Sequence, residues 1–289
     1  MTDRQTDRQT DRQTDRQTDR QTDRQTAKRI LLFIVGIIVL AGCLFVGYKF
    51  AKHEKDQNAR LTSLESNISL LKAETSIKEK QWQDGDYNYL AIGNSITLHG
   101  KVDYWWNECG MAASTIDNDY VHKLTGMIEK DKGEIDEYAY NMATWETQVN
   151  DRAETLNLLD GLLSDKLDLI TIQLGENVTD LNTFESDFKE LINYVSEKSP
   201  NAQIMVIGDF WENGDRDTIK KKVAKELNVD YVDLSKIKDN EQYFAGKGST
   251  VYGDDGTEHK IEHDGVAKHP GDKAMQYIAE ETYKKIKDK

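Results

Sequence analysis

The sequence predicts an α/β protein: a three-layer α/β/α sandwich with a parallel sheet, formed by residues 83–289. Short apolar runs alternate five times with amphipathic runs of helical spacing in this part of the chain. Most of the apolar runs are continuous, which is typical of strands that are buried on both faces. Strands that alternate with helices form parallel sheets covered by helices on both faces. Residues 1–82 differ in composition and form three attachments to this domain.

The first attachment is residues 1–29, in which six copies of Thr-Asp-Arg-Gln occupy residues 2–25. The repeat is polar, balanced in charge and free of apolar side chains. Such a tract buries too little surface to offset the entropy lost on ordering, so it predicts a disordered cytoplasmic tail.

The second attachment is the apolar segment ILLFIVGIIVLAGCLFVGYKF, residues 30–50. At about 1.5 Å per residue it is long enough to cross a bilayer core of about 30 Å as a transmembrane helix. Lys28, Arg29 and the repeat arginines precede it, which favours a cytoplasmic N-terminus and an extracellular domain. The alternative is a lipoprotein, because Leu-Ala-Gly-Cys at 40–43 looks like a cleavage signal that leaves a lipidated Cys43. Either anchor tethers the domain to the outer face of the cell membrane.

The third attachment is residues 51–82, a polar segment that precedes the domain. Its apolar residues Leu61, Leu64, Ile68 and Leu71 follow one another at spacings of three, four and three. This pattern matches two heptads of a coiled-coil seam and predicts a helical stalk. A homodimer that forms through this stalk is left open.

Charge and composition exclude several classes of function. The net charge is −14, and residues 1–51 hold nine basic and six acidic residues, so residues 52–289 carry −17. Nucleic acid is therefore not an expected partner, because phosphate contacts need a basic face. Cys43 and Cys109 lie in different segments and predict no disulfide framework. No CxxC or HExxH motif occurs, so we expect no metal site and no cofactor.

The five predicted strands are short and end near Gly, Asn or Asp. In chain order they are YNYLAIG (87–93), EIDEYAYNMA (134–143), LDLITIQLG (167–175), AQIMVIGDF (202–210) and VDYVDL (229–234). The predicted helices of the domain cover residues 118–130, 150–164, 184–197, 215–227 and 270–287. In such folds, binding and catalytic sites form at the carboxyl ends of the strands, so the residues that follow each strand are the candidates for a site.

A serine, an asparagine and a histidine are predicted to gather at this edge of the sheet. Ser95 follows the first strand, Asn177 follows the third, and His269 lies in the loop before the last helix. A serine nucleophile needs a base within reach and donors for the oxyanion that develops. We therefore assign Ser95 as nucleophile, His269 as base and Asp264 as the group that orients the imidazole. The Ser95 backbone N–H, a backbone N–H near Ala143 and the Asn177 amide are the predicted oxyanion donors.

Three sequence blocks resemble those of the SGNH (GDSL-like) hydrolase superfamily. They are IGNSIT, with Gly93-Asn94-Ser95 in place of Gly-Asp-Ser; LGENVTD, with Gly175-Glu176-Asn177; and DGVAKHPGDKAM, with His269-Pro270. The segment GMAASTIDNDYVHKL (110–124) also looks like the one that follows the serine block in some bacterial branches. The resemblance covers residues 86–289. It implies a flavodoxin-like sandwich and a serine esterase of the bacterial cell envelope.

The sequence departs from the family's pattern at four points. Asn94 replaces the common Asp, and Val178 replaces another Asp. The second-block glycine, usually an oxyanion donor, is not evident, and Ala143 stands in its region. Asp264 precedes His269 by five residues rather than three. Two alternatives follow from this spacing: Asp264 reaches the imidazole across a bulged loop, or the enzyme uses a Ser-His dyad.

Other aromatic and histidine side chains are candidates for substrate contacts or for the base. Trp145 and Trp211 follow strand ends and are either core caps or a platform for a sugar ring. His99 lies near the nucleophile and is a candidate for the pocket wall. His259 and His263 share a loop with the assigned base and compete with it for that role. The Pro-Gly and helix that follow favour the assigned histidine.

Together these features predict a membrane-tethered, extracytoplasmic serine esterase that acts through an acyl-enzyme at Ser95. The resemblance implies O-acyl esters as substrates, chiefly O-acetyl groups on carbohydrate. An O-acyltransferase would use the same acyl-enzyme and is left open. A catalytically silent envelope-binding module of the same fold is an alternative, motivated by the missing glycine and the stretched Asp–His spacing. A scaffold that acts through its stalk and repeat tail is a third.

Overall fold

Five parallel strands form the central sheet of the computed structural model, which describes residues 79–148, 151–212 and 214–286. The strands are β1 Tyr87–Gly93, β2 Ile135–Asn141, β3 Leu169–Gln173, β4 Gln203–Ile207 and β5 Asp230–Val232. Their order is β2-β1-β3-β4-β5, and every neighbouring pair is parallel. The predicted α/β fold with a parallel sheet is therefore confirmed.

The carboxyl ends of β1, β2 and β3 lie level with one another. Gly93, the last residue of β1, pairs with Asn141 on one side and with Gln173 on the other. Because both partners are also the last residues of their strands, the segments that follow lie side by side. This is the edge where the sequence predicts a site.

Helices flank the sheet and connect its strands. They are α1 Tyr120–Lys132, α2 Ala143–Thr147, α3 Phe184–Lys198, α4 Arg216–Glu226, α5 Asp264–Ala267 and α6 Asp272–Tyr283. Short 3₁₀ segments cover Ile116–Asn118, Arg152–Leu159 and Glu241–Tyr243. The start of α1 is capped by Asp119, whose carboxylate accepts the N–H of His122 at 2.8 Å.

Each face of the sheet has its own apolar core. Ile92 and Ile172 point to one face and pack in the same buried cluster as Phe188 of α3. Ala91, one residue before Ile92, belongs to the cluster on the other face, together with Leu124 of α1 and residues of α6. Neighbouring residues of a strand point to opposite faces, so the sheet is buried on both sides and the domain has three layers.

The prediction of a helix over residues 150–164 is wrong. This stretch forms the 3₁₀ segment Arg152–Leu159 followed by turns. Leu156, Leu159 and Leu162 are all buried, and they recur at every third residue. A spacing of three matches the three residues per turn of a 3₁₀ helix, whereas an α-helix needs a mixture of threes and fours.

A small antiparallel hairpin, which the sequence did not predict, lies outside the sheet. It pairs β6 Thr250–Tyr252 with β7 Glu258–Lys260. Each strand has three residues, too few for an alternation of apolar and polar side chains to show in the sequence. The hairpin and the segment 99–115 enclose a third apolar cluster, which also includes two residues of α5. Its members include Trp105, Cys109, Met111, Val251, Ile261, Val266 and Ala267.

Most of the predicted attachments lie outside the described residues. This applies to the tail 1–29, the apolar segment 30–50 with Cys43, and residues 51–78 of the stalk. Residues 79–82 are described and form no helix. Trp82 is buried, and its ring N–H donates to the carbonyl of Leu162 at 2.7 Å, so this tryptophan packs with the domain. Within the described ranges, no helix has the length and apolar character needed to cross a bilayer.

Candidate active site

A tight turn directly after β1 presents Ser95 at the carboxyl edge of the sheet. The carbonyl of Asn94 accepts a hydrogen bond from the N–H of Thr97 at 3.0 Å. A Cβ atom on Gly93 would lie 1.8 Å from Thr97 Oγ1, so only glycine fits where the strand enters the turn. The Ser95 carbonyl accepts the N–H of Met111 at 2.8 Å. Main-chain hydrogen bonds at Asn94 and at Ser95 itself therefore fix the half-buried serine in place.

The imidazole of His269 lies against the hydroxyl of Ser95. The distance from Ser95 Oγ to His269 Nε2 is 2.9 Å, and His269 Nδ1 lies 2.8 Å from the carbonyl oxygen of Gly265. A carbonyl oxygen only accepts, so Nδ1 carries the proton and Nε2 accepts from the serine hydroxyl. Burial, with smaller contributions from the neighbouring His99 and His263, lowers the pKa of His269 to about 4. The imidazole is therefore neutral at pH 7, as a general base must be.

Trp211 packs on the ring of His269. The two rings meet edge to face, with 4.9 Å between their centroids and an angle of 80°. The indole N–H of Trp211 donates to the carbonyl of Lys268 at 3.0 Å, which fixes the indole beside the histidine. Through this contact Trp211 supports the base. The side chain is half-buried, and its role in substrate binding stays a prediction.

The prediction that Asp264 orients the imidazole is wrong. The Asp264 side chain is 83% exposed, and its carboxylate pairs with Lys247 Nζ at 2.9 Å. Asp264 is the first residue of the short helix α5, and this turn of the chain directs the carbonyl of Gly265 at His269 Nδ1. The geometry therefore corresponds to the Ser-His dyad that the long Asp–His spacing left open, with a main-chain carbonyl in the orienting position.

Replacing Asp264 by alanine should change the rate of ester hydrolysis by less than about threefold, because exposed side chains away from a site usually matter little. The lost ion pair with Lys247 is exposed and adds little to stability. The measurement is kcat/KM for a p-nitrophenyl ester at pH 7, with the melting temperature as a control for folding. A loss of about 10⁴, as reported for triads whose aspartate is replaced, would show that Asp264 reaches the histidine during the reaction.

The prediction of an oxyanion donor at Ala143 is also wrong. The N–H of Ala143 donates to Asn141 Oδ1 at 2.9 Å, so it already has an acceptor within the protein. Asn141 is in turn anchored by its Nδ2, which donates to the carbonyl of Leu98 at 2.6 Å. By contrast, the backbone N–H of Ser95 donates to no protein acceptor in the described part of the chain. That N–H remains available to an oxyanion.

Asn177 lies in the turn after β3, next to the Ser95 turn. The turn begins at Gly175, whose φ of +125° lies in a region that residues with a Cβ rarely adopt. Asn177 Nδ2 donates to Glu146 Oε2 at 2.6 Å. An amide nitrogen carries two hydrogens, so a second N–H remains for another acceptor. Asn177 is exposed, which leaves that N–H accessible to a substrate.

A serine and a histidine in contact, and an asparagine from a Gly-x-Asn turn, thus meet at the carboxyl edge of a parallel sheet. The three blocks that carry the sequence resemblance therefore bring the predicted nucleophile, the predicted base and an amide donor to one candidate site. Among the described residues, no group of His, Cys, Asp or Glu side chains is placed to hold a metal ion.

A buried ion network supports the asparagine turn of the candidate site. Asp209 pairs with Arg216 Nε at 3.1 Å and with Lys220 Nζ at 2.8 Å, and all three side chains are at most 2% exposed. Arg216 also donates to the carbonyl of Val178 at 3.2 Å and to the carbonyl of Glu176. Each of these buried charges has an opposite charge beside it, which buried charges require. The network ties the turn after β3 to the turn after β4.

Trp145, one of the residues predicted to contact the substrate, lies in the core. Trp145 is fully buried and packs against Phe184 and Phe188 at 6.2 and 6.0 Å between ring centroids, so its prediction as a substrate platform is wrong. Helix α2 turns the indole into the core, because α3 offers an apolar face at that point.

His99 is half-buried, and its Nδ1 lies 2.6 Å from the carbonyl of Gly100. Burial lowers the pKa of His99, and its role at the pocket wall stays a prediction.

Neither of the two competing histidines takes the place of the base. His259 stacks on Trp106 with 4.1 Å between centroids, and His263 stacks on Tyr104 at 4.3 Å. His263 Nδ1 also accepts the N–H of Val266 at 3.4 Å. Both rings are therefore engaged by aromatic neighbours, and Tyr104 is 41% exposed.

Sequence reasoning missed one residue of the site, Glu146. Its carboxylate contacts the turns after β1 and β3, although it lies in the helix after β2. The available signal was an acidic residue in the segment NMATWE that follows a predicted strand. That signal is weak, because acidic residues after strands are usually exposed.

No family model matches the chain, and no curated protein matches it in sequence. Several solved structures are similar in fold. A two-domain esterase (CEX) active on acetylated mannans is 15% identical with a TM-score of 0.47, over 71% of this chain and 50% of that chain. The acetylxylan esterase Axe2 from Geobacillus stearothermophilus is 15% identical with a TM-score of 0.46, over 72% and 98% of the two chains. The esterase EstA from Pseudoalteromonas sp. is 12% identical with a TM-score of 0.43, over 70% and 97%.

The match thus spans half the length of the two-domain esterase.

Proposed function

We propose that this protein is a serine esterase that hydrolyses O-acyl esters, with O-acetyl groups on carbohydrate as its substrates. The observation that carries the proposal is the contact of 2.9 Å between Ser95 Oγ and His269 Nε2. A neutral imidazole in contact with a serine hydroxyl at the carboxyl edge of a parallel sheet is the arrangement that serine acyl transfer requires.

In the first half of the reaction, Ser95 Oγ attacks the carbonyl carbon of the ester while His269 Nε2 takes the hydroxyl proton. The carbonyl π electrons move to oxygen, which becomes an oxyanion. When the tetrahedral intermediate collapses, the bond to the alcohol oxygen breaks and His269 Nε2 returns the proton to that oxygen. The alcohol leaves, and the acyl group remains on Ser95 as an ester.

In the second half, a water molecule takes the place of the alcohol. His269 Nε2 accepts a proton from the water as its oxygen bonds to the acyl carbon. Collapse of the second intermediate breaks the bond to Ser95 Oγ, and the proton on Nε2 returns to the serine. The acid is released and the enzyme regains its starting state. If a sugar hydroxyl replaces this water, the same steps transfer the acyl group instead.

Three groups support the charges that develop in these steps. The N–H of Ser95 and the free amide N–H of Asn177 are the donors available for the oxyanion. Losing one such donor typically costs about 10²–10³ in kcat. On the other side of the imidazole, the carbonyl of Gly265 accepts from Nδ1 and so holds the ring through its charged and neutral forms.

A carbohydrate substrate is consistent with the aromatic rings around the dyad. Tyr104 is 41% exposed and stacks on His263, and Trp211 packs on the catalytic histidine while remaining half-buried. Aromatic faces combine a flat apolar surface with a polar edge, which suits the faces of sugar rings. The sequence resemblance to SGNH hydrolases supports the same substrate class.

The test uses the purified full-length chain in mild detergent. It is assayed with p-nitrophenyl esters of increasing acyl length and with acetylated xylan and mannan oligosaccharides, next to the Ser95→Ala variant. We expect release of acetate from a glycan, and loss of that release in the variant. A folded chain that hydrolyses no ester and takes up no fluorophosphonate label would instead be a binding module. Transfer of acetyl to an added sugar in excess of hydrolysis would identify an acyltransferase.

We also propose that residues 30–50 anchor the domain to the outer face of the cell membrane as an uncleaved helix. The support is the length of the apolar run and the basic residues before it. Replacing Cys43 by alanine should then leave the protein in the membrane fraction, and protease added to intact cells should remove residues 83–289. Release of the Cys43→Ala chain from the membrane would favour the lipoprotein instead.

A further inference from the structure

Glu146 is a buried carboxylate that lies between the ends of three strands. It belongs to α2, directly after β2, and is 1% exposed. Its Oε1 accepts from Asn94 Nδ2 at 3.1 Å, from the N–H of Gly175 at 2.5 Å and from the N–H of Asn177 at 3.4 Å. Its Oε2 accepts from Asn177 Nδ2 at 2.6 Å. One carboxylate therefore joins the turn after β1 to the turn after β3.

These contacts suit an ionised carboxylate. All four partners are N–H donors, and an ionised carboxylate only accepts. Within the described ranges, no basic side chain pairs with this carboxylate; Arg152 donates to the main-chain carbonyl of Glu146 at 3.4 Å instead. Burial raises the pKa of Glu146, and the bonds from Asn177, Asn94 and Gly175 oppose that rise. A buried charge with no opposite charge costs stability, so packing alone does not explain it.

We propose that Glu146 is the positioning residue of the oxyanion site. Its ionised carboxylate holds the Asn177 carboxamide with the NH₂ group turned toward α2, which leaves the second N–H of that group for the oxyanion. This proposal rests on the proposed esterase function. It assigns to Glu146 no contact with the substrate, only control over which end of the Asn177 amide is presented and where.

The need for such control follows from the chemistry of an amide. The two ends of the Asn177 carboxamide have nearly the same shape, but one end donates and the other accepts. An exposed asparagine without a fixed partner can rotate and present its oxygen, which would repel an oxyanion. An acceptor on one side of the NH₂ group excludes that orientation.

The same carboxylate also contacts the turn that carries Ser95. Asn94 Nδ2 donates to Glu146 Oε1, and Asn94 Oδ1 accepts the N–H of Ile96 at 3.0 Å. Asn94 and Ile96 are the two neighbours of Ser95 in the chain. An asparagine at residue 94 can make both bonds, whereas an aspartate would place a second carboxylate against the first.

The decisive experiment is a double-mutant cycle between Glu146→Gln and Asn177→Ala, measured in the full-length protein. Glutamine keeps the shape of the side chain, but its own NH₂ group must face either Asn177 Nδ2 or the N–H groups at Oε1. Glu146→Gln should lower kcat for a p-nitrophenyl ester by about 10² or more, the size of one lost oxyanion donor, and change KM by less than about threefold. In the Asn177→Ala background, the same substitution should lower kcat by less than about threefold.

The outcomes separate a positioning role from a structural one. An equal loss of kcat in both backgrounds, or a loss confined to KM, would overturn the proposal. So would a kcat of Glu146→Gln within threefold of the unmodified protein. Hydrolysis that depends on Ser95 must be present in the unmodified chain; if it is absent, the proposed function fails before Glu146 is in question.

A matched control and a second variant complete the test. Glu137→Gln removes a half-buried carboxylate of β2 that accepts from Thr125 Oγ1 at 3.1 Å, and it should leave kcat unchanged. If Glu146→Gln does not fold, Glu146→Asp replaces it, because aspartate keeps the negative charge but its carboxylate lies one methylene farther from the Asn177 amide. A kcat loss for Glu146→Asp that disappears in the Asn177→Ala background supports the proposal, and an equal loss in both backgrounds overturns it.

Discussion

Replacing Ser95 by alanine is expected to lower kcat for ester hydrolysis by at least about 10⁴, since single removals of a serine nucleophile cost up to about 10⁶. The physical reason is that no acyl-enzyme can form, because the hydroxyl that contacts His269 Nε2 is gone. The backbone of the turn does not depend on that hydroxyl, so the melting temperature should change little. Hydrolysis of p-nitrophenyl acetate and labelling by a fluorophosphonate measure the effect.

The control for this experiment is Ser235→Ala. Ser235 is an exposed serine in the turn after β5, and its backbone N–H donates to Asp233 Oδ1 at 2.8 Å. Its replacement should leave hydrolysis and labelling intact. Full labelling of Ser95→Ala, or hydrolysis at more than about a hundredth of the original rate, would show that another group is the nucleophile.

Replacing His269 by alanine is expected to lower kcat by about 10⁴ or more, because the serine then has no base and the leaving alcohol no proton donor. His259 and His263 do not compensate, since both rings are stacked elsewhere in the loop. The measurement is kcat for the same ester, with thermal unfolding as the folding control. Activity within tenfold of the original would mean that a different base serves Ser95.

The pH profile of the unmodified protein provides the matching test. His269 must be neutral to accept a proton, so kcat/KM should fall as the pH drops through the pKa of this histidine. Burial lowers that pKa to about 4, below the ordinary value of about 6.5. Activity should therefore stay constant from pH 7 down to about pH 5 and be halved near pH 4. A midpoint between 6 and 7 would show that the ring is solvated or paired with a carboxylate.

Much of the fold follows from patterns within short stretches of sequence. The apolar runs that form β1, β3 and β4 are buried on both faces in the structure, as continuous apolar strands must be. Because parallel strands end at a common edge, the order of strands and loops also predicts that Ser95 and His269 meet. The strand order together with the resemblance of the three blocks carries that inference across 174 residues.

The errors at the site concern the direction of single groups. Asp264 and Gly265 are neighbours, and one turn of helix decides which of them faces the imidazole. Trp145 follows a strand end but turns into the core because α3 offers apolar rings there. Glu146 looks like an ordinary surface acid in the sequence, and only the packed structure shows that its partners are N–H groups from distant turns. The periodicity of apolar residues predicts helices and strands, whereas these contacts depend on the direction in which one side chain or one carbonyl group points.

The third apolar cluster, formed by the segment 99–115, the hairpin β6–β7 and α5, has a consequence for how this protein can diversify. Its buried members, such as Trp105 and Val251, are distinct from those of the two cores that hold the sheet. Met111 of this cluster donates its N–H to the Ser95 carbonyl, and α5 holds the Gly265 carbonyl at His269 Nδ1. A change of size or shape within the cluster therefore reaches the serine and the histidine before it reaches the strands, so its residues are constrained by the chemistry of the dyad as well as by packing.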